Sequence, residues 1–247
     1  MPLHVLMYHE LVPRADFATL VPGPIRTSQG VADVLPPPLY VAEEDFADQM
    51  EFLREEGWTV VSPEEVAAFY RTGAALPDRA VLVTFDDLWK GGMTGAFPVL
   101  KCLGIRALAF VVRGWVFEAP QVLRPGSPVT LCWAERDALT DVFSYANHTD
   151  QLHTRGPAGP ALLAVGDADF AADLARCEER TTLKGVFAYP FGAVGPRSPV
   201  VLAREGYSLA FTTEPGANDR GTDPLRLKRN LVPGGIGLDA FAKILQS

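Results

Sequence analysis

Short apolar runs alternate along this chain with stretches whose apolar residues recur every three to four positions, the pattern of a parallel α/β architecture. Runs at 3–7, 59–61, 80–84, 107–112, 142–145, 185–188 and 209–212 predict strands, and 225–231 predicts a weaker one. Between them Phe46, Met50 and Leu53 fall on one helix face, with Gly57 as its stop. Ser62-Pro63-Glu64-Glu65 reads as a capping box that opens a helix carrying Val66 and Phe69 inward. Phe97, Leu100 and Leu103 suit a helix ending at Gly104, and Asp167 caps another with Phe170, Leu174 and Cys177 on its buried face. Seven or eight such units, with no fixed-period repeat and no dividing linker, predict one barrel-like α/β domain over 1–247.

One stretch breaks the pattern. Residues 13–38 hold six prolines and two glycines. Connections this long inside a domain are solvated excursions or covers over a pocket, and this one directly follows the first strand. Composition narrows the class: 48% hydrophobic and 21% charged residues exclude a disordered chain. A net charge of −8 argues against nucleic acid or an anionic membrane as partner. No run approaches the ~18 apolar residues of a membrane-spanning helix. The three cysteines form no CxxC pair and read as small buried hydrophobes. With an N-terminal segment that lacks a basic leader, they make a cytoplasmic location the expectation.

Candidate chemistry gathers at predicted strand ends, where α/β folds place their sites. The run at 80–84 leads into Asp86-Asp87, so one carboxylate can hold a metal while the other addresses a water; such a pair is also a common turn or cap. His148 and His153 stand five apart in the loop after 142–145, and neutral imidazoles are common ligands of zinc-like ions. Added to Asp87 they make a three-ligand set with room for water, the arrangement of a catalytic site. Tyr189-Pro190-Phe191-Gly192 follows a further strand as an aromatic turn, and His9 ends the first.

Taken in order, VLMYHELVP, VTFDDLWKGG, GIRALAFVV, NHTDQLH, FAYPFG, GYSLAFTTEPGAN and LKRNLVPGG resemble the polysaccharide deacetylase (NodB-homology) superfamily, in particular its permuted branch that includes poly-N-acetylglucosamine deacetylases. The resemblance implies a distorted (β/α)7-type barrel and a metal-dependent hydrolase of N-acyl amides. It also implies one divalent metal, zinc foremost, with cobalt, nickel, manganese or iron as alternatives. Residue by residue, it makes Asp87, His148 and His153 the metal ligands and Asp86 the general base. Phe191 would offer its backbone N–H to the oxyanion, protonated His9 would be the general acid, and Arg229 would orient Asp86. Leu88 stands where the family pattern has glycine, and ALTDVFSYANHT lacks the glycine usual before the histidines. A positive φ at Leu88 would strain the loop or shift the aspartates.

The expected activity is deacetylation of a small amino-sugar-like or biosynthetic intermediate. The alternatives are hydrolysis of another C–N bond, such as a formamide or cyclic amide, and a catalytically silent binding protein that keeps the barrel. A small N-acylated molecule is the expected partner, without nucleic acid or membrane; the sequence leaves the oligomeric state open.

Overall fold

A computed structural model describes residues 2–246. It contains the strands β1 (Leu3–Tyr8), β2 (Glu10–Val12), β3 (Tyr40–Ala42), β4 (Thr59–Val60), β5 (Ala80–Asp86) and β6 (Ala107–Val111). The second half adds β7 (Phe143–Asn147), β8 (Arg155–Gly156), β9 (Gly159–Pro160), β10 (Val186–Ala188), β11 (Leu209–Phe211) and β12 (Asn230–Leu231). One curled sheet runs β11-β10-β7-β6-β5-β1-β12 with every pair parallel, and β4 adds to the start of β5.

Alternation along the strands makes two apolar layers. Leu3, Val5, Leu82, Leu108, Phe110, Ala188 and Phe211 pack together inside the curl. Leu6, Tyr8, Val81, Val83 and Phe85 face Phe46, Met50, Leu53 and Leu100 from the surrounding helices. Both faces are therefore buried, which is why these strands read as continuous apolar runs. The curl does not close by regular pairing. Its seam is spanned by residues 227–231: Leu227 bridges Phe211 of β11, and Asn230 and Leu231 pair with Leu6 and Met7 of β1. The weak strand expected at 225–231 is thus a two-residue strand preceded by one bridge.

The helices follow the sequence closely, with two differences. Ser62 and Glu65 form the reciprocal capping box, with Pro63 in the first turn. Glu43–Glu55 buries Phe46, Met50 and Leu53, and Gly104 ends Lys90–Leu103 in the left-handed conformation. Asp167, however, is the first helical residue of Asp167–Glu178 rather than its cap, a place Gly166 takes. Cys102, near the end of Lys90–Leu103, is exposed rather than buried as expected of all three cysteines; Cys132 and Cys177 are buried, and all three are free.

The 13–38 segment is not a free excursion. Pro24 bridges Val34, Arg26 bridges Val129, and Ile25 and Leu35 join an apolar cluster with Trp89 and Trp115. Parallel pairing of β2 with β3 closes the loop at its base. The sequence reading did not contain this pair, since each strand is only three residues long and nearly thirty residues separate them.

Candidate active site

Strand register brings the chemistry to one level. Tyr8 pairs with Phe85, so His9 and Asp86 follow side by side; Asp86 pairs with Phe110, and Val111 with Asn147, so His148 comes next. Asp86 also shares the inward phase of Leu82 on its strand, so its carboxylate enters the curl.

There Asp86 meets Arg229, which is fully buried on the seam segment. The guanidinium grips both carboxylate oxygens, Nη1 to Oδ1 at 2.6 Å and Nη2 to Oδ2 at 2.8 Å. Its Nε donates to the Thr212 carbonyl at 2.8 Å, and the group lies over the Phe110 ring. Burial alone would raise the Asp86 carboxyl; the Arg229 charge, with smaller contributions from His148 and His9, holds it below the ordinary carboxylate range. His9 Nε2 lies 3.8 Å from Asp86 Oδ2.

Asp87, His148 and His153 converge. Their ligand atoms lie within 4.8 Å of one another, with Nε2 of His153 3.3 Å and Nε2 of His148 3.6 Å from Asp87 Oδ1. His148 Nδ1 sits 2.7 Å from the Ala188 carbonyl. It must be the protonated nitrogen, since a carbonyl only accepts, and that leaves the Nε2 lone pair aimed at the aspartate. Burial lowers the His148 imidazole to about 4, and burial together with the neighbouring His148 lowers His153 well below its ordinary value. Asp87 Oδ1 is buried without a hydrogen-bond partner, while its Oδ2 accepts from Trp89 Nε1 at 3.1 Å. Burial and then the Asp86 charge push the Asp87 carboxyl well up. Ligand atoms of three buried side chains thus converge, with Asp87 Oδ1 left unpaired among them. A divalent cation of the zinc type fits that donor set.

The histidine loop is a built scaffold. Asp173 accepts the backbone N–H of Asp150 and Gln151, each at 2.8 Å, and Asp150 is itself paired with Arg113 and Arg176. Asn147 Oδ1 takes the Thr149 N–H at 2.9 Å while Thr149 sits at φ 79. In NHTDQLH the histidines address the cavity and the polar residues between them fix the turn. Trp115 packs on His153 with ring centroids 4.5 Å apart. Trp89, Trp115 and Asp173 were not among the sequence candidates; Trp89, two residues after Asp87, was the one with a local signal.

Leu88 does adopt a positive φ, 59°, directly after Asp87 at 71°. The expected displacement of the aspartates does not occur. Asp87 N–H donates to the Phe110 carbonyl, Leu88 accepts from Leu131 N–H, and the leucine side chain is completely buried in the main core. Left-handed backbone costs about 1–2 kcal/mol per residue, whereas deleting a buried leucine to alanine costs about 2–5 kcal/mol. Burial wins over most of that range, so Leu88→Gly should destabilise the fold by up to about 4 kcal/mol in denaturant titrations. Equal or higher stability of the glycine variant would mean that strain dominates.

His9 departs from expectation in its charge. Burial lowers its pKa most; Asp86 draws it partly back, and Arg229 and His148 push it down again, leaving about 4. It is neutral at neutral pH, not the protonated imidazole of the sequence reading. Its place is set by main-chain contact. A Cβ on Gly92 would stand 2.0 Å from the His9 carbonyl oxygen, and one on Gly91 2.1 Å from Glu10 Oε1. Only glycines let the Lys90–Leu103 helix approach this closely.

Phe191 sits in the turn Pro190–Gly192 at φ 58 and ψ 15. Its ring lies 4.4 Å from that of His153 and under the Arg155 guanidinium at 4.7 Å. Asp33 Oδ2 accepts from Arg155 Nε at 3.0 Å and Nη2 at 2.9 Å. This latch ties the proline-rich loop to the aromatic turn. Beneath it lies a cavity of about 280 Å³, reached by His9, Asp86, Asp87, His148 and His153 and walled by apolar groups including Ile25, Leu35 and Trp115.

The sequence pattern of the polysaccharide deacetylase family matches residues 73–210, more than half of the chain. The chain belongs to this family, which is metal-dependent in general, and is a hydrolase of N-acetyl amides. It is 22% identical over 212 residues to the poly-beta-1,6-N-acetyl-D-glucosamine N-deacetylase of Staphylococcus aureus, covering 83% of this chain and 71% of that one. Among solved structures, IcaB from Ammonifex degensii is 28% identical with a TM-score of 0.77 over 99% of this chain and 96% of IcaB. The Streptococcus pyogenes deacetylase PplD, solved with acetate, is 20% identical with a TM-score of 0.78 over 100% and 99% of the two chains. The matched range holds Asp86, Asp87, His148, His153 and Phe191 but not His9 or Arg229, which only the fold brings to the site.

Proposed function

We propose that this protein removes the N-acetyl group from an amino-sugar-like substrate presented as a single or terminal unit, with a divalent transition metal, zinc foremost, held by Asp87, His148 and His153. The observation that carries the reading is the convergence of those three ligands beside the Arg229-bound Asp86 and His9 at one cavity. When bound, the metal polarises the acyl oxygen and lowers the pKa of water to about 7. Asp86 Oδ2, turned toward His9 and His148, accepts the proton of the attacking water. Neutral His9, whose Nε2 lies 3.8 Å from that oxygen, takes the proton once the two close to hydrogen-bond distance or through one bridging water, and hands it to the leaving nitrogen. Breaking the C–N bond releases the acid and a primary amine, with no net proton gained or lost by the side chains. The Phe191 backbone N–H is the oxyanion donor in this reading.

The substrate class follows from the roof. At about 280 Å³ the cavity lies just below the ~300–1,000 Å³ of drug-sized sites, and Asp33, Val34, Leu35 and Pro36 of the loop line it. Its apolar wall also favours a second reading, an amide with a larger apolar acyl or non-sugar part. Both are tested by measuring amine release from N-acetylglucosamine, its β-1,6 oligomers and polymer, and N-formyl and N-butyryl analogues with zinc or cobalt added. Acetylated single units should give the highest kcat/KM; a preference for N-butyryl compounds would select the second reading. Faster turnover of interior polymer units would sink the single-unit reading, and no release from any substrate would sink the hydrolytic one.

The latch makes a further prediction. Arg155 is half-exposed, so its pair with Asp33 contributes about 0–1 kcal/mol to stability. Arg155→Ala should leave the melting temperature nearly unchanged while raising KM for small substrates several-fold and improving relative activity on longer oligomers. An unchanged KM would show that the loop keeps its place without the latch.

A further inference from the structure

We propose that a second cavity, lined by Glu10, Asp16, Tyr40 and Glu43, binds an organic cation: a primary ammonium group on a short apolar stem. This cavity of about 260 Å³ shares no lining residue with the catalytic one. Glu10 and Tyr40 are register partners in the parallel β2–β3 pair, so their side chains leave the ladder on the same face. Each is only 1% exposed. Glu10 Oε1 accepts the Leu11 N–H at 3.1 Å, but Glu10 Oε2 and the Tyr40 hydroxyl are buried with no hydrogen-bond partner. Two unpaired oxygens in adjoining buried side chains are costly unless a donor reaches them.

The acidic side chains of the cavity also lack an ion-pair partner among the described residues. Asp16 and Glu43 add carboxylates, and among the described residues none of the three acids is in an ion pair. Nearby Arg14 is turned to Asp45 and Asp48, and Arg124 lines the cavity without pairing with them. Burial raises the Glu10 carboxyl to about 8 against the backbone N–H groups of Gly92 and Leu11, with a smaller push from Glu43; a cation would reverse that. A bare metal ion fits less well. Among the described residues Asp87, His148 and His153 are the group of three His, Cys, Asp or Glu ligands that converges as for a metal ion, and the acids of this cavity form no such group. Polar acceptors in a cavity also lined by Val12 and Leu123 suit an ammonium with several N–H bonds to give and a stem to bury.

The probes are n-butylammonium chloride, glucosamine, neutral N-acetylglucosamine and calcium chloride, titrated calorimetrically into the zinc-loaded full chain. One site should take butylammonium. The affinity should survive His148→Ala, which cripples the catalytic cavity, and fall by about tenfold or more in Glu10→Gln. Tyr40→Phe and the less buried Glu43→Gln should each weaken binding by a smaller factor, so the test does not depend on one buried variant folding. Glucosamine binding at the same site would mark it as one for amine products; butylammonium alone would assign it to other alkylamines. No binding of butylammonium overturns the proposal. So does binding lost in His148→Ala but kept in the carboxylate variants, or calcium binding more tightly than the amine.

Discussion

Asp86→Asn should yield a folded, metal-replete protein that turns over about 10²–10⁴-fold more slowly, the range of a lost proton-transfer group. Asp87→Ala and His148→Ala should instead lose metal and activity together. The contrast arises because adjacent residues serve different partners. Asp86 gives both oxygens to Arg229, whereas Asp87 leaves Oδ1 without a hydrogen bond beside the Nε2 atoms of two imidazoles. Elemental analysis of the purified variants beside amine-release rates checks both halves. Near-normal turnover by Asp86→Asn would remove its assignment as base, and metal retained after Asp87→Ala would remove that carboxylate from the ligand set.

Arg229→Met should cost about 3–5 kcal/mol of stability at pH 7, because it leaves Asp86 buried without its counter-charge. At about 2–4 °C per kcal/mol for a chain of this size, the melting temperature should fall by about 6–20 °C. The pH dependence has a definite sign. In the wild type Asp86 is held below its ordinary value, so its contribution is present above about pH 4 and is lost only as pH falls through the depressed value. In the variant, burial acts unopposed by Arg229 and the carboxyl protonates at a higher pH. The stability gap should therefore be widest near neutrality and narrow in acid. Urea titrations at pH 7 and pH 5 measure it; a gap that does not change with pH would attribute the loss to packing alone.

Much of this site was legible because a parallel strand buried on both faces declares itself as an unbroken apolar run, and the first polar residues beyond it belong to the site. Asp86-Asp87 at the end of β5, His148 after β7 and Phe191 beyond β10 were found that way, and the family resemblance supplied Arg229. What escaped depends on contacts remote in sequence. The sign of φ at Leu88 is set by Phe110 and Leu131, and the charge of His9 by burial against Arg229. Glu10–Val12 and Tyr40–Ala42 are too short to announce their pairing. Trp115 lies outside the recognisable segments, and its role exists only because His153 comes to it.

Arg229 sits on the segment that spans the seam of the sheet, 143 residues beyond the aspartate it neutralises. During synthesis at roughly 5–20 residues per second, Asp86 emerges about 7–29 s before its partner. Until then no nascent structure can bury that carboxylate cheaply, and the two edges of the curl have nothing between them. Closure of the sheet and neutralisation of its central charge are thus one late event in folding. Folding of the site is deferred until the stave that completes the barrel has been made.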